Sequence, residues 1–331
     1  MTCIVNTKLG ESKGQSRIWL EGVRLERGGF SPSTRYELVI SNRKVTLKVA
    51  NDGAYTVSKR KRNGKLSPII DLSNQKLTQA FEGVEMLRVV IRAGVIIVSA
   101  HFQQGKVARR EERLIERLKK NQSLDVCSLF HGSGVLDKAL HAGFSKSGTA
   151  STVSVAVEME GAYIDNSLIN NPELWNDRSL VINAPIETLK YGSTAQEVDI
   201  VIAGLPCTGA SKSGRSKNKL EFAESHDAAG AMFFHFLQMV QNLNPSIVII
   251  ECVPEYQNTA SMAVIRSVMS SFSYTVTEAV MDGNEYGALE KRKRLCVVAI
   301  TSGFKQFSFD SAVPVRAKES CLGDILEHVA D

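Results

Sequence analysis

The sequence lacks any apolar run approaching the ~20 residues that cross a bilayer, and residues 1–8 show no apolar segment of a signal peptide. We therefore expect a cytoplasmic protein without a membrane partner. Its six cysteines form no Cys-x-x-Cys pair, so neither a zinc site nor a disulfide framework is indicated, and we expect no metal. Internal repeats and low-complexity segments are also missing. The 331 residues exceed what a single core usually supports, which favours two domains.

Acidic residues are scarce in the first part of the chain. Residues 1–120 contain 24 Lys and Arg against 11 Asp and Glu, a net charge of +13, and since the whole chain carries +5, the remainder carries −8. A basic amino-terminal domain followed along the chain by an acidic one suggests that the first part binds a polyanion, and nucleic acid is the polyanion we expect. The alternative is a basic face that is merely solvated.

Residues 1–104 are predicted to form a small β-rich module. Apolar and polar residues alternate over residues 17–25, 36–40 and 45–49, which is typical of half-buried strands, and residues 41–44 are predicted to turn the second strand into the third. The pattern from Ile18 to Phe30 and the hairpin after it, at residues 16–50, loosely resembles the swapped-hairpin DNA-binding domains of AbrB-like proteins.

The densest positive charge lies at residues 59–65, which we predict to be a basic loop between β segments. Its cations are the expected phosphate contacts of this module: Lys59, Arg60, Lys61, Arg62 and Lys65. Two further strands, residues 86–91 and 95–99, turn at Ala93-Gly94. Residues 106–120 combine Arg, Glu and Leu with opposite charges three or four apart, which predicts a surface helix within a linker at 105–121.

From residue 124 the pattern changes to strands that alternate with helices, which predicts an α/β domain with a mostly parallel sheet over residues 122–331. The first strand, residues 124–130, leads through a glycine turn at 131–134 into a helix expected to close at Gly143. The second strand, residues 153–158, ends in Glu158. In nucleotide-binding α/β folds, an acid at that position binds ribose hydroxyls.

A third strand, over residues 198–202, carries Pro206 and Cys207 towards its carboxyl end, where open α/β sheets bind ligands. Cys207 is therefore the candidate nucleophile, although an isolated cysteine is more often a small buried hydrophobe. The strand at residues 247–253 ends with the carboxylate of Glu251. Residues 290–294 then open another strand with the cations Arg292 and Arg294. We expect all these groups to meet around the glycine turn.

In order and spacing, residues 124–301 resemble the catalytic core of the DNA (cytosine-5)-methyltransferases. The family's Phe-x-Gly-x-Gly turn, acid after the second strand, Pro-Cys-x-x-x-Ser loop, Glu-Asn-Val strand end and Gln-x-Arg-x-Arg segment match residues 130–134, 158, 206–211, 251–253 and 290–294. The resemblance implies a Rossmann-like methyltransferase core that uses S-adenosylmethionine. It also implies double-stranded DNA as the partner, with the target cytosine flipped out of the helix.

The resemblance also implies a role for each matching residue. Cys207 would attack carbon 6 of the cytosine, Glu251 would hold ring nitrogen 3 and the exocyclic amine, and Arg292 and Arg294 would contact the base oxygen and the backbone. Arg294 is also the cation expected to lower the thiol pKa of Cys207. The residues implied to hold the cofactor are Phe130, Gly132, Gly134, Glu158, Met159 and Pro206, and Ser211 is implied to contact nucleic acid.

The chain departs from the family pattern at three positions. Cys252 replaces the asparagine that braces the Pro-Cys loop, Glu290 replaces a glutamine, and Pro185 replaces the acid that usually contacts the adenine amino group. Neither a target-recognition domain nor the final Gly-Asn helix is visible in the 30 or so residues after residue 301, which leaves open that the chain is a fragment of a longer protein. Two alternatives stay open: an RNA cytosine-5 methyltransferase, and a weak or inactive DNA-binding protein with a methyltransferase-like core.

Overall fold

The computed structural model describes residues 2–62, 64–189, 196–206, 224, 230–288 and 290–314, with the side chains of Arg62 and Lys65 left out. The chain divides into two compact units, Met1–Lys106 and Val107–Asp331. The division falls within a helix, Phe102–Lys119. This helix begins three residues before the expected linker at 105–121 and ends two residues before the end of that linker. Among the helices that the structure describes, none has the length and apolar character needed to span a membrane.

The first unit contains two antiparallel sheets over one apolar core. Its strands are β1 Cys3–Lys8, β2 Gly10–Ser12, β3 Gln15–Glu21, β4 Arg35–Ser41, β5 Lys44–Val49, β6 Tyr55–Thr56, β7 Ser58–Arg62, β8 Lys65–Ser73, β9 Met86–Arg92 and β10 Val95–Ala100, and its short helices are α1 Val23–Arg27 and α2 Gln75–Ala80. The sheet orders are β1-β9-β10-β5-β4-β6 and β2-β3-β8-β7. Inward-facing residues of both sheets, such as Leu47 and Ile70, share the core with Leu77 of α2.

Two predictions for this unit are confirmed and two are wrong. The hairpin β4–β5 turns at Ser41 and Lys44, and β9–β10 turns at Ala93-Gly94, as expected. The alternation over residues 17–25 does not continue as a strand, because Gly22, at φ 101°, ends β3 and Val23 begins α1. The basic segment at 59–65 is not a loop: it is the tip of the β7–β8 hairpin, with Lys59 opposite Pro68 and Lys61 opposite Leu66.

The second unit is an α/β domain around a seven-stranded sheet. After α3 Phe102–Lys119 it contains β11 Leu124–Leu129, α4 Val135–Lys146, β12 Ser151–Glu158, α5 Gly161–Asn170, β13 Leu180–Asn183, β14 Ile200–Gly204, α6 Met232–Leu243, β15 Ile247–Cys252, α7 Ala260–Ser271, β16 Tyr274–Asp282 and β17 Lys293–Thr301. The strand order is β13-β12-β11-β14-β15-β17-β16. The first five strands in this order, β13, β12, β11, β14 and β15, are parallel, and β17 is antiparallel to both its neighbours.

The central strands are almost wholly apolar because helices cover both faces of a parallel sheet. Residues 200–203 of β14 are fully buried, and one face packs with α6 and α7 through residues such as Phe236 and Ile265. The other face packs with Leu114 of α3 and with Leu140 of α4. The α/β prediction is confirmed, but β13 and β16 were not predicted, and α4 continues through Gly143 to Lys146.

Helix α3 is anchored to the amino ends of the strands rather than lying free on the surface. Arg113 and Arg117, one helical turn apart, bracket the buried Asp199 with Nε–Oδ distances of 3.1 and 3.0 Å. Arg117 also pairs with Asp125. Arg110 is 1% exposed and lies 3.7 Å from the ring centroid of Tyr274. Arg110, Arg113 and Arg117 therefore bind groups of the second unit, whereas Arg109 of the same helix is 54% exposed.

Candidate active site

Several of the predicted site residues that the structure describes lie at the carboxyl edge of the seven-stranded sheet. Strands β11, β12, β14 and β15 end there, and β17 begins there because it runs in the opposite direction. The register aligns Leu129 with Ala203, and Gly204 with Glu251. In an open α/β sheet, the crevice at this edge is where ligands bind, so topology alone makes this edge the candidate site.

The glycine turn after β11 is built from left-handed backbone. Phe130, Gly132 and Gly134 have φ values of 55°, 57° and 75°. A Cβ on Gly134 would lie 2.5 Å from Oγ of Ser167, so only glycine fits at this position. A Cβ on Gly132 would meet nothing within 4 Å and would instead project into open space. The turn is therefore closely packed at Gly134 and open at Gly132, where a ligand could approach the backbone.

Glu158 fastens this turn to the end of β12. Its side chain is 8% exposed; Oε2 accepts from the Gly132 amide at 2.8 Å, and Oε1 accepts from the Glu160 amide at 2.9 Å. The next residue, Met159, is 62% exposed, so an apolar surface lies immediately beside the buried carboxylate. The Nδ2 atom of Asn183 donates to the carbonyl oxygens of both Glu158 and Met159 at 3.0 and 2.9 Å, which fixes this strand end.

A buried polar network behind the turn is a feature that sequence reasoning missed. The His131 side chain is fully buried: Nδ1 lies 3.1 Å from Oδ2 of Asp137 and 2.9 Å from Oγ of Ser128, while Nε2 lies 2.8 Å from Oγ of Ser167. Its ring meets Trp175 edge-on with centroids 5.2 Å apart. The signal in the sequence was a histidine inside the glycine turn followed by an acid in the first turn of α4.

Glu251 and Arg294 form an ion pair at the same edge. Nε of Arg294 donates to Oε1 of Glu251 at 2.7 Å, although the two residues come from the antiparallel strands β17 and β15. Both side chains keep about a quarter to a third of their surface exposed, at 26% and 32%. Arg292, which was grouped with them, is exposed. Burial, and then the negative charge of Glu251, raise the pKa of the Cys296 thiol.

The segment that leads to the Pro-Cys loop is held against β15. The Leu205 amide donates to the Glu251 carbonyl at 3.1 Å, and the Cys252 thiol donates to the Leu205 carbonyl at 3.6 Å. Cys252 is 1% exposed and contacts the chain just before Pro206. It therefore touches the segment that an asparagine braces in the family pattern. Cys207 and Ser211 lie outside the described residues.

The remaining positions that the sequence analysis singled out form no hydrogen bond or ion pair with the residues of the candidate site within the described part of the chain. Pro185 is exposed and precedes a short 3-10 helix at Ile186–Thr188. Glu290 is exposed. In the first unit, Lys59, Arg60 and Lys61 are exposed on β7, and Arg62 lies opposite Lys65 in the backbone register at the hairpin tip.

Fold and site together define a Rossmann-like α/β domain with a ligand site at the carboxyl edge. Comparison with known families narrows this class: residues 124–331 match the model of the C-5 cytosine-specific DNA methylases. The chain belongs to this family. The N-terminal unit lies outside the matched range.

The chain is similar to several bacterial type II methyltransferases. It is 24% identical over 204 residues to M.Eco47II of Escherichia coli, covering 60% of this chain and 45% of the relative. It is also 24% identical over 213 residues to M.NgoPII of Neisseria gonorrhoeae, covering 63% and 58%. The crystal structure of the S. pombe Dnmt2 methyltransferase aligns with a TM-score of 0.48 at 18% identity, covering 63% of this chain and 61% of that one. The chain spans about half the length of the two curated relatives.

Proposed function

We propose that this protein is a DNA cytosine-5 methyltransferase that works through a covalent adduct between Cys207 and the target base. The observation that carries the proposal is the Glu251–Arg294 pair, with Nε and Oε1 2.7 Å apart, in which Glu251 lies on β15, the strand next to β14, and Arg294 lies on β17. A carboxylate and a guanidinium fixed together in this way can bind the polar edge of a cytosine through hydrogen bonds.

The chemistry explains why these residue types are needed. Cytosine carbon 5 is a poor nucleophile until a thiolate adds to carbon 6, because this addition moves an electron pair onto carbon 5. After carbon 5 has gained a methyl group, loss of its proton restores the double bond and breaks the bond between sulfur and carbon 6. Cys207 supplies the thiolate in this scheme.

Glu251 is assigned to the base. Its carboxylate holds the ring nitrogen 3 and the exocyclic amine, and so stabilises the enamine that forms when sulfur adds. Arg294 orients that carboxylate through its Nε–H, and its remaining N–H groups are assigned to the base oxygen. The exposed Arg292 is assigned to the nucleic-acid backbone.

The residues at the edge fit S-adenosylmethionine, which supplies the methyl group when bound. Open space in front of Gly132 leaves room for a ligand against the backbone, with Phe130 and Gly134 shaping the turn and Pro206 at the neighbouring strand end. Beside it, the exposed thioether of Met159 offers an apolar surface for a purine ring. Glu158 accepts hydrogen bonds from two amides and so holds the turn, and its remaining lone pairs would accept from the ribose hydroxyls of the bound cofactor.

The test is a trapping experiment with 5-fluorocytosine-substituted nucleic acid. Fluorine replaces the proton that must leave carbon 5, so the adduct cannot be released. We expect a covalent species on Cys207 in mass spectrometry with duplex DNA and S-adenosylmethionine, and none with the Cys207→Ser variant. An adduct with RNA alone would establish the RNA methyltransferase instead. No adduct with either would leave a DNA-binding protein with an inactive core.

A further inference from the structure

The outer face of the six-stranded sheet in the first unit carries an apolar row. Strand residues alternate between faces, so the register shows which side chains share the outer one. Cα partners join Ile4 to Val90, Val90 to Ile97, Ile97 to Thr46 and Thr46 to Val39 across five strands. The ends of this row are open to solvent, with Ile4 55% and Val39 61% exposed, whereas Val90 is 8% exposed and Ile97 and Thr46 are half-buried. We call these five residues the apolar row.

Cations frame the apolar row on both sides. On the outer face, Arg88 and Arg92 of β9 lie two residues before and after Val90. Lys44 and Lys48 of β5 likewise lie two residues before and after Thr46. Arg88 and Lys44 are on one side of the apolar row, and Arg92 and Lys48 are on the other. Arg92, Lys44 and Lys48 are exposed, and Arg88 is half-buried. Within the described residues, none of these four side chains forms an ion pair.

Strand geometry fixes the spacing of this cationic frame. Two residues four apart on one antiparallel strand are separated by about 14 Å, and two strands with one between them lie about 10 Å apart. Arg88, Arg92, Lys44 and Lys48 therefore mark the corners of a rectangle around Val90 and Ile97. Glu37 is the acidic side chain that shares this face in the described part of the chain, and it lies opposite Lys48.

The charge pattern decides which partner fits the face. A second copy of the same face would bring cations against cations, so self-association is disfavoured. A side of about 14 Å is wider than the ~6 Å minor groove of B-DNA, which lets the cations reach the phosphates on both of its walls. Minor-groove proteins commonly insert apolar side chains at base steps, and Lys and Arg are common contacts of the phosphates.

We propose that this outer face docks on duplex DNA, with the four cations on the phosphates of two strands and the apolar row against the groove between them. The proposal rests on the proposed function for the identity of the polyanion. The surface is distinct from the β7–β8 hairpin, because β7 and β8 belong to the four-stranded sheet. The domain thus presents a second DNA contact, which the linear sequence does not mark as a cluster.

The test measures the salt dependence of duplex binding by the full chain. Each phosphate contact contributes about 0.9 to the slope of log affinity against log salt concentration. In fluorescence anisotropy with a labelled duplex, the combined variant Lys44→Gln, Lys48→Gln, Arg88→Gln and Arg92→Gln should lower that slope by about 3 to 4. The matched control removes four exposed cations away from this face, through Lys13→Gln, Arg24→Gln, Arg27→Gln and Lys76→Gln, and should lower it by less than about 1.

Each outcome bears on one proposal. Equal slopes for the two variants would overturn the docking surface, as would a loss confined to anionic phosphatidylserine vesicles with duplex binding intact. If the fourfold variant unfolds, Lys44→Gln with Lys48→Gln alone should still lower the slope by about 2. The 5-fluorocytosine adduct is measured with the same proteins at saturating DNA. An adduct with unchanged slopes contradicts the surface alone, whereas a changed slope without any adduct contradicts the proposed function alone.

Discussion

At the residue scale, the carboxylates of the site are held by the protein itself. Glu158 accepts from the Gly132 and Glu160 amides, and Glu251 accepts from Arg294. Fixed donors and acceptors need no reorganisation when a ligand binds, which is the advantage of preorganised electrostatics. The glycine turn that Glu158 holds also contains the buried His131, which contacts Ser167 and Asp137. A substitution at one of these contacts is therefore expected to shift the backbone of the turn.

The two turn glycines should respond differently to alanine. Gly132→Ala meets no atom within 4 Å and adds only the strain of a left-handed backbone, about 1–2 kcal/mol. Gly134→Ala adds a collision with Ser167 Oγ at 2.5 Å and a close contact with His131 Nε2 at 3.0 Å, so its total cost should be about 2–5 kcal/mol. Urea unfolding followed by Trp175 fluorescence, in a Trp19→Phe background, measures both. Equal costs would contradict the close packing behind Gly134.

At the element scale, α3 ties several strands of the second unit together from their amino ends. Nη2 of Arg110 donates to the carbonyl oxygens of Phe272 and Ser273 at 2.9 and 2.8 Å, and its Nε donates to Oγ1 of Thr301 at 2.9 Å. Burial lowers the pKa of Arg110, partly offset by Tyr274, whose ring lies beneath it. The helix that joins the two units along the chain is therefore also part of the fold of the second one.

Neighbouring arginines on α3 offer a matched comparison. Arg110→Ala removes three hydrogen bonds and leaves two part-buried carbonyl groups without that donor. Because hydrogen bonds to a charged group contribute roughly 1.5–3 kcal/mol each, we expect a loss of at least about 3 kcal/mol. Arg109→Ala removes a 54% exposed side chain whose partner Glu197 is 3.4 Å away, and should cost less than about 1 kcal/mol. Urea unfolding followed by Trp175 fluorescence measures the loss of unfolding free energy in both variants. Comparable losses for Arg110→Ala and Arg109→Ala would show that the contacts of Arg110 do not stabilise the second unit more than a surface ion pair does.

At the scale of the whole molecule, positive charge is concentrated in the first part of the chain. The first unit, residues 1–106, contains 18 Lys and Arg against 8 Asp and Glu, a net charge of +10, and residues 107–331 carry −5. Such asymmetry directs a polyanion to one part of the molecule and keeps it from binding indiscriminately elsewhere. It is consistent with an N-terminal unit that supplies DNA affinity to a catalytic domain of acidic character.

The β7–β8 hairpin supplies the prediction at this scale. Lys59→Gln, Arg60→Gln and Lys61→Gln together should weaken duplex binding and lower its salt slope by about 2 to 3, because these exposed cations are assigned to phosphates. If the hairpin and the sheet face bind independently, combining the two sets of substitutions should add their slope losses. A hairpin variant that keeps the full slope would show that these cations are solvated and make no phosphate contact.

How much could be predicted differs between segments. The buried run at residues 200–203 and the glycine turn after β11 were readable because parallel strands are continuously apolar and tight turns need glycine. Strand β7 was predicted to be a loop because its lysines and arginines show no apolar alternation. It is a strand because its backbone pairs with β8, and this pairing leaves no pattern in the local sequence. Strand β16 was overlooked because it has an edge position and mixed burial.

The sequence by itself determined the α/β class, the order of the motifs and the residue types that cytosine methylation requires. Only the tertiary structure decided which of those residues touch: Gly132 with Glu158, Glu251 with Arg294, and Cys252 with the Leu205 carbonyl. The physical reason is that motif order follows the chain, whereas contact follows strand register. The antiparallel β17 returns its first residues to the edge where β15 ends, and so places Arg294 against Glu251.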